Sequence, residues 1–216
     1  MAKPTVGSMM SLAALGAALA GLAFGLSLIV AIGPQNTYVL RRGLQREHVL
    51  LIVAVCALSD VVLIIAGVGG AGAVLRTRPW LVTVADGGGA AFLLGYGLLA
   101  ARRAFRPTST LEPDDAAGPI SRREALGTSL AFTWLNPGVY VDTLVVLGPV
   151  SHTRAGEHWW FGAGAALGSV LWFLALGAGA RLLASLFRRP RAWQVLDSCV
   201  ALVMAGAAIR LLVELV

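Results

Sequence analysis

The sequence predicts an all-α membrane protein of six transmembrane helices, arranged as a 3+3 inverted repeat with broken first and fourth helices. Three observations predict it. Hydrophobic residues make up 57% of the 216, charged residues only 13%, and the mean hydropathy is +0.79, more apolar surface than one soluble core can bury. The apolar residues fall in long Leu/Ala/Val/Gly runs rather than short alternating ones, so they span lipid as helices, with backbone groups paired internally, and not as a barrel. Polar interruptions then recur at matched places in the two halves of the chain.

Cutting the chain at its charged or Pro-rich interruptions leaves runs at residues 10–40, 48–75, 79–104, 124–150, 157–187 and 193–214, each near the roughly 20 residues that cross a bilayer. No charge lies between Lys3 and Arg41, a stretch longer than a signal peptide's apolar core, so a retained helix is expected rather than cleavage near Ala20. Trp80, Trp159, Trp160 and Trp193 stand near helix starts, where amphipathic rings anchor at the headgroups. Cys56 and Cys199 lie inside apolar runs and read as packing thiols.

Residues 105–123, with Pro107, Glu112, Pro113, Asp114, Asp115, Gly118 and Pro119, read as a flexible cytoplasmic linker. It separates a first three-helix repeat, residues 1–104, from a second, 124–216. Each repeat opens with a helix broken in a polar cluster: Gly33-Pro34-Gln35-Asn36, then Asn136-Pro137-Gly138. The third helix of each carries an acid early, Asp86 and Asp197. Because three is odd, the repeats must cross the membrane in opposite directions, a plan shared by many secondary transporters.

Orientation follows from the arginines. Arg41, Arg42, Arg46, Arg102, Arg103, Arg106, Arg122, Arg123, Arg188, Arg189 and Arg191 fall in the first, third and fifth connections. Only Lys3, Arg76, Arg78, Arg154 and Arg210 fall on the other side. The Arg-rich side is therefore expected to be cytoplasmic, with both termini outside. The net charge of +6 is spread over short clusters rather than one stripe, which argues against a nucleic-acid partner.

Proline inside an apolar helix frees a carbonyl and kinks the chain, and Gln or Asn beside it is costly in lipid unless it faces a cavity or partner. Each break also starts a half-helix, at Pro34 and Pro137, whose free N–H groups favour an anion such as a carboxylate. Asp60 stands mid-run, where an acid costs roughly 2.5–3.5 kcal/mol on insertion scales. With Asp142 it forms a candidate cation site or proton relay. Asp86 and Asp197, nearer helix starts, are weaker candidates, as is Trp172. A carboxylate-binding break and a cation-binding acid together suit a basic amino acid, with protons as the coupling ion. His48, His152 and His158 lack metal-ligand spacing, no Ser/His/Asp arrangement points to an enzyme, and no cofactor is implied.

Ala31-Ile32-Gly33-Pro34-Gln35-Asn36, Leu58-Ser59-Asp60, and Thr133-Trp134-Leu135-Asn136-Pro137 with Tyr140, Asp142 and Thr143 resemble the bacterial L-lysine and L-arginine exporter family. Arg41-Arg42-Gly43-Leu44 and Leu171-Trp172-Phe173 extend the likeness over nearly the whole chain. The resemblance implies export of basic amino acids from the cytoplasm across a bacterial inner membrane, driven by protons or membrane potential, with the substrate site at Gly33, Pro34, Gln35, Asn36, Asp60, Asn136, Pro137, Tyr140 and Asp142. Two positions depart from the family pattern: Asp86 precedes the glycines where an aromatic residue is expected, and Asp197 stands where Asn is expected. Glycine-lined faces hint at close helix association and a homodimer. A carrier of another small solute or of a metal cation is the alternative. A membrane thiol-redox conduit would want a Cys beside each broken-helix proline, which Cys56 and Cys199 are not.

Overall fold

The computed structural model describes residues 6–30, 33–105, 120–154, 156–183 and 190–214, and these form helices and turns with no strand among them. The helices are α1 (Val6–Ile29), α2 (Pro34–Gln45), α3 (Val49–Val68), α4 (Gly72–Thr77), α5 (Pro79–Ala104), α6 (Arg122–Trp134), α7 (Pro137–Tyr140), a π-helical segment (Val141–Leu147), α8 (Gly148–His152), α9 (His158–Leu183) and α10 (Pro190–Glu214). The interruptions at Gly33-Pro34 and Asn136-Pro137 both separate helices. Ala31 and Ile32, residues 106–119 of the linker, Lys3, Arg106, Arg188 and Arg189 lie outside the described residues.

Among the described residues, four helices are long and apolar enough to cross a membrane: Leu12–Ile29, Val49–Val68, His158–Ala180 and Arg191–Val213. The pair Arg122–Trp134 and Pro137–His152 makes a fifth if it counts as one span. Six spans are expected from the sequence. The remaining long helix is α5, with 26 residues.

The chain divides into two compact units, with the boundary falling inside α3 and α9. The first holds residues 1–31, 57–78 and 138–172. Its core is Ile64, Val68, Leu147, Phe161 and Ala165, flanked by Phe24, Leu28 and Val150. Here α1 and α9 approach at backbone distance: a Cβ on Gly21 would overlap the Phe161 carbonyl, and one on Gly164 the Ala18 carbonyl. Small residues let helices meet this closely, gaining dispersion contacts where lipid supplies no hydrophobic drive.

The second unit holds residues 32–56, 79–137 and 173–216. In it α5 lies along α10, with Gly97 against Met204. Tyr38 of α2, Phe92 and Tyr96 of α5 and Phe132 of α6 form an aromatic cluster, with Phe132 at 5.0, 4.8 and 4.9 Å from Tyr38, Phe92 and Tyr96. Tilted and edge-to-face pairs of this kind are directional as well as apolar, so the cluster fixes α2 one turn beyond its start.

Leu12, Leu15, Leu50, Leu58, Leu98, Leu171 and Leu202 are exposed, as lipid-facing residues would be. Trp80, Trp159 and Trp160 are exposed too, whereas Trp193 is half-buried. Neither cysteine forms a disulfide. Cys56 is buried as a packing thiol, but Cys199 is exposed on its helix, because the apolar run around it is lipid-facing on that side.

Candidate functional site

The first break is built by three local choices. Gly33 is extended (φ −114°, ψ 177°), and Pro34 takes the first helical position, where its missing N–H is no loss and its fixed φ suits the helix. The Gly33 carbonyl then accepts from both the Thr37 backbone N–H (3.1 Å) and the Thr37 hydroxyl (2.8 Å). Gln35 is buried, and its Nε2 has no hydrogen-bond partner among the described residues. Buried amide donors are seldom left so. Asn36 beside it is half-buried.

The second break has the same plan in different residues. Helix α6 ends at Trp134, Leu135 leaves helical geometry (φ −97°, ψ 8°), and Pro137 again opens the next helix. Pro137 is buried and Asn136 half-buried. Gly89 of α5 is seated against this break: an added Cβ would overlap the Leu135 carbonyl and lie 3.1 Å from Pro137 Cδ. Of the three consecutive glycines 87–89, only Gly89 makes such an approach.

Beyond this break the first compact unit begins, and the helix widens into the π-helical segment that carries Asp142. The Gly148 N–H returns to the Thr143 carbonyl, five residues back. Pro149 follows and offers no N–H to the preceding turn, a circumstance in which a helix loosens. π segments are rare and recur at functional sites. Tyr140 and Asp142 are half-buried there.

Asp60 lies in the same unit, on α3, with 6% of its surface exposed. The Ser169 hydroxyl of α9 donates to Asp60 Oδ2 at 3.0 Å. Trp172, one turn further along α9, is half-buried. Asp60, Tyr140, Asp142 and Trp172 therefore share one compact unit, and Gly33, Pro34, Gln35, Asn36, Asp86, Asn136, Pro137 and Asp197 the other.

Two residues that the sequence weighs lightly are deeply placed. Asp86 and Asp197 are 4% and 5% exposed, less than the terminal turn of a helix would give. Arg41, expected as a topology charge in a connection, is buried on α2, because the helix continues to Gln45. It forms an ion pair with Asp197 of α10, and its guanidinium lies 5.9 Å from the ring centre of Trp193. Arg42, half-buried, pairs locally with Glu47 at 2.7 Å. Sequence reasoning missed Arg41, Ser169 and the role of Trp193. The described residues contain no cluster of three or more metal-ligating side chains.

A buried carboxylate is what an amino-acid cation needs, and amide donors at a helix N-terminus are what its carboxylate needs. The family model described as LysE type translocator matches residues 26–215. A Mycobacterium tuberculosis protein provisionally named an amino-acid transporter is 48% identical over 188 residues, covering 87% of this chain and 92% of its own. The arginine exporter protein ArgO of Salmonella enteritidis is 42% identical over 193 residues, 88% of this chain and 90% of its own. ArgO of Klebsiella pneumoniae is 40% identical over 195 residues, 90% and 92% of the two chains. No solved structure matches.

Proposed function

Because this chain belongs to the LysE type translocator family, we propose that it is a secondary active transporter that exports basic amino acids, L-arginine and L-lysine, from the cytoplasm of a bacterium. The observation that carries the reading is Asp60, an acid buried on an apolar spanning helix and held by Ser169. A charge at that depth is expensive and is seldom kept without a transport role. The named activity of the arginine exporters, 40–42% identical over most of this chain, supports the same substrate class.

In this reading Gln35, Asn36 and Asn136, with the helix starts at Pro34 and Pro137, hold the substrate carboxylate, and Tyr140 lines the site. Asp60 and Asp142 take the cationic end or the coupling proton. The inverted repeat, residues 1–104 against 124–216 with the linker between, is part of the proposal. Its support is that both breaks place Pro at the first helical position, and that the segments after the breaks, 32–56 and 138–172, fall in opposite compact units. The Arg-rich connections face the cytoplasm, and two copies associate through glycine-lined faces.

Exchange of labelled L-arginine and L-lysine in proteoliposomes preloaded with the same amino acid tests the reading. Saturable exchange that Asp60→Asn abolishes is expected. No exchange of any basic amino acid by the intact protein would move the assignment to another solute.

A further inference from the structure

We propose that Asp197 and Trp193 form a guanidinium-binding subsite, which Arg41 fills in this structure and which an arginine substrate takes over during export. The inference rests on the basic-amino-acid reading above and adds the residues that would discriminate arginine from lysine.

The geometry is that of a binding site as much as of a brace. The side chains of Arg41 and Asp197 are only 6% and 8% exposed, and they form an ion pair. Trp193 precedes Asp197 by about one turn on α10, and its ring lies 5.9 Å from the Arg41 guanidinium carbon. A carboxylate on the edge of the guanidinium and an aromatic ring near its face are the two contacts that recognise this planar cation. Lysine's ammonium is a point charge without the fork or the flat face, and it fits such a pair less well.

A buried ion pair is a weak device for stability, since desolvation of both charges offsets most of their attraction. Removing one partner and leaving the other charge buried is what is strongly unfavourable. Arg41 can therefore leave Asp197 readily only when another cation replaces it. A substrate guanidinium makes the same contacts, so the exchange is nearly balanced, as a transporter requires for both capture and release. Arg41 sits two turns beyond Gln35 on α2, so its displacement acts on the half-helix that begins at the first break. One chain thus links a guanidinium subsite to the break proposed to hold the carboxylate.

The test uses full-length protein in proteoliposomes and compares half-saturation for L-arginine and L-lysine. Asp197→Asn is expected to raise the arginine value at least tenfold and the lysine value by less than threefold. Trp193→Leu, which leaves the ion pair intact, is expected to weaken arginine selectively with little change in melting temperature. The exchange Arg41→Asp with Asp197→Arg keeps a buried pair and the fold, yet is expected to lose arginine selectivity. Asp197→Asn lowers the melting temperature under either reading, since it leaves Arg41 buried without its acid, but a purely structural pair predicts an unchanged arginine-to-lysine ratio in all variants and full recovery of exchange in the double variant. That result overturns the subsite while leaving the exporter reading standing. A wild-type protein that exchanges no basic amino acid overturns both.

Discussion

The Ser169 hydroxyl on α9 donates a 3.0 Å hydrogen bond to Asp60 Oδ2 on α3, across 109 residues of sequence. Hydrogen bonds to a charged group contribute about 1.5–3 kcal/mol, and this one orients a carboxylate that has little water around it. Ser169→Ala is expected to weaken arginine exchange roughly ten- to hundredfold, the range that this energy spans, while the chain inserts normally. Asp60→Asn is expected to abolish exchange. Ser169→Thr, which keeps the hydroxyl, is expected to retain more activity than Ser169→Ala. Equal exchange by wild type and Ser169→Ala would show that the bond does not prepare Asp60 for transport.

The contact of α1 with α9 rests on the absence of side chains. A Cβ at Gly21 or Gly164 would overlap backbone carbonyl oxygen of the facing helix, whereas a Cβ at Gly16, on the same α1, meets nothing within 4 Å. Overpacking typically costs about 1–3 kcal/mol. Gly164→Val is therefore expected to lower the melting temperature of detergent-solubilised protein by several degrees. Gly16→Ala is expected to leave it level or raise it slightly, since Ala is the better helix former. Similar melting curves for the two variants would contradict the close approach.

How far these features were legible follows from the residues themselves. The breaks could be read because proline and amides interrupt apolar runs, a pattern that lipid makes costly and therefore informative. Asp60 stood out for the same reason. Ser169 did not, because a single serine in a Gly/Ala-rich helix satisfies itself on its own backbone as easily as it reaches a neighbour, and nothing local says which. Arg41 was hidden by Arg42: adjacent arginines after an apolar run read as a topology signal, and only the continuation of α2 to Gln45 turns one of them inward. Its partner Asp197 belongs to the last helix, so no local spacing could pair them. The π-helical widening around Asp142 was likewise invisible, since Val-Asp-Thr-Leu-Val-Val-Leu carries an ordinary helical pattern.

Gly89 separates the role of the second break from general packing. Its neighbours Gly87 and Gly88 have nothing within 4 Å of an added Cβ, but at Gly89 the added carbon would overlap the Leu135 carbonyl and crowd Pro137. Gly89→Ala must therefore push α5 and the break apart. The expected outcome is a loss of exchange of tenfold or more, the scale that a misplacement of about 1 Å at a positioning site produces in enzymes. Gly88→Ala is expected to behave as wild type. Exchange measured on both variants at matched protein levels checks it.

Asp142 reaches its position through an unusual turn, and that turn can be relaxed. The Gly148 N–H bonds the Thr143 carbonyl five residues back, and Pro149 supplies no N–H to the turn before it. Pro149→Ala restores a donor and removes the ring, which favours ordinary four-residue spacing. Tightening the segment would rotate Asp142 relative to the helix that follows. Regularising an irregular functional segment commonly raises stability at the expense of activity. Pro149→Ala is therefore expected to raise the melting temperature by a few degrees and to lower arginine exchange several-fold. Asp142→Asn in the native background is expected to lower exchange at least as far with no gain in stability. A Pro149→Ala protein that is stabilised and still exchanges arginine at the wild-type rate would show that the widened turn is a packing consequence of the proline and that Asp142 works from either register.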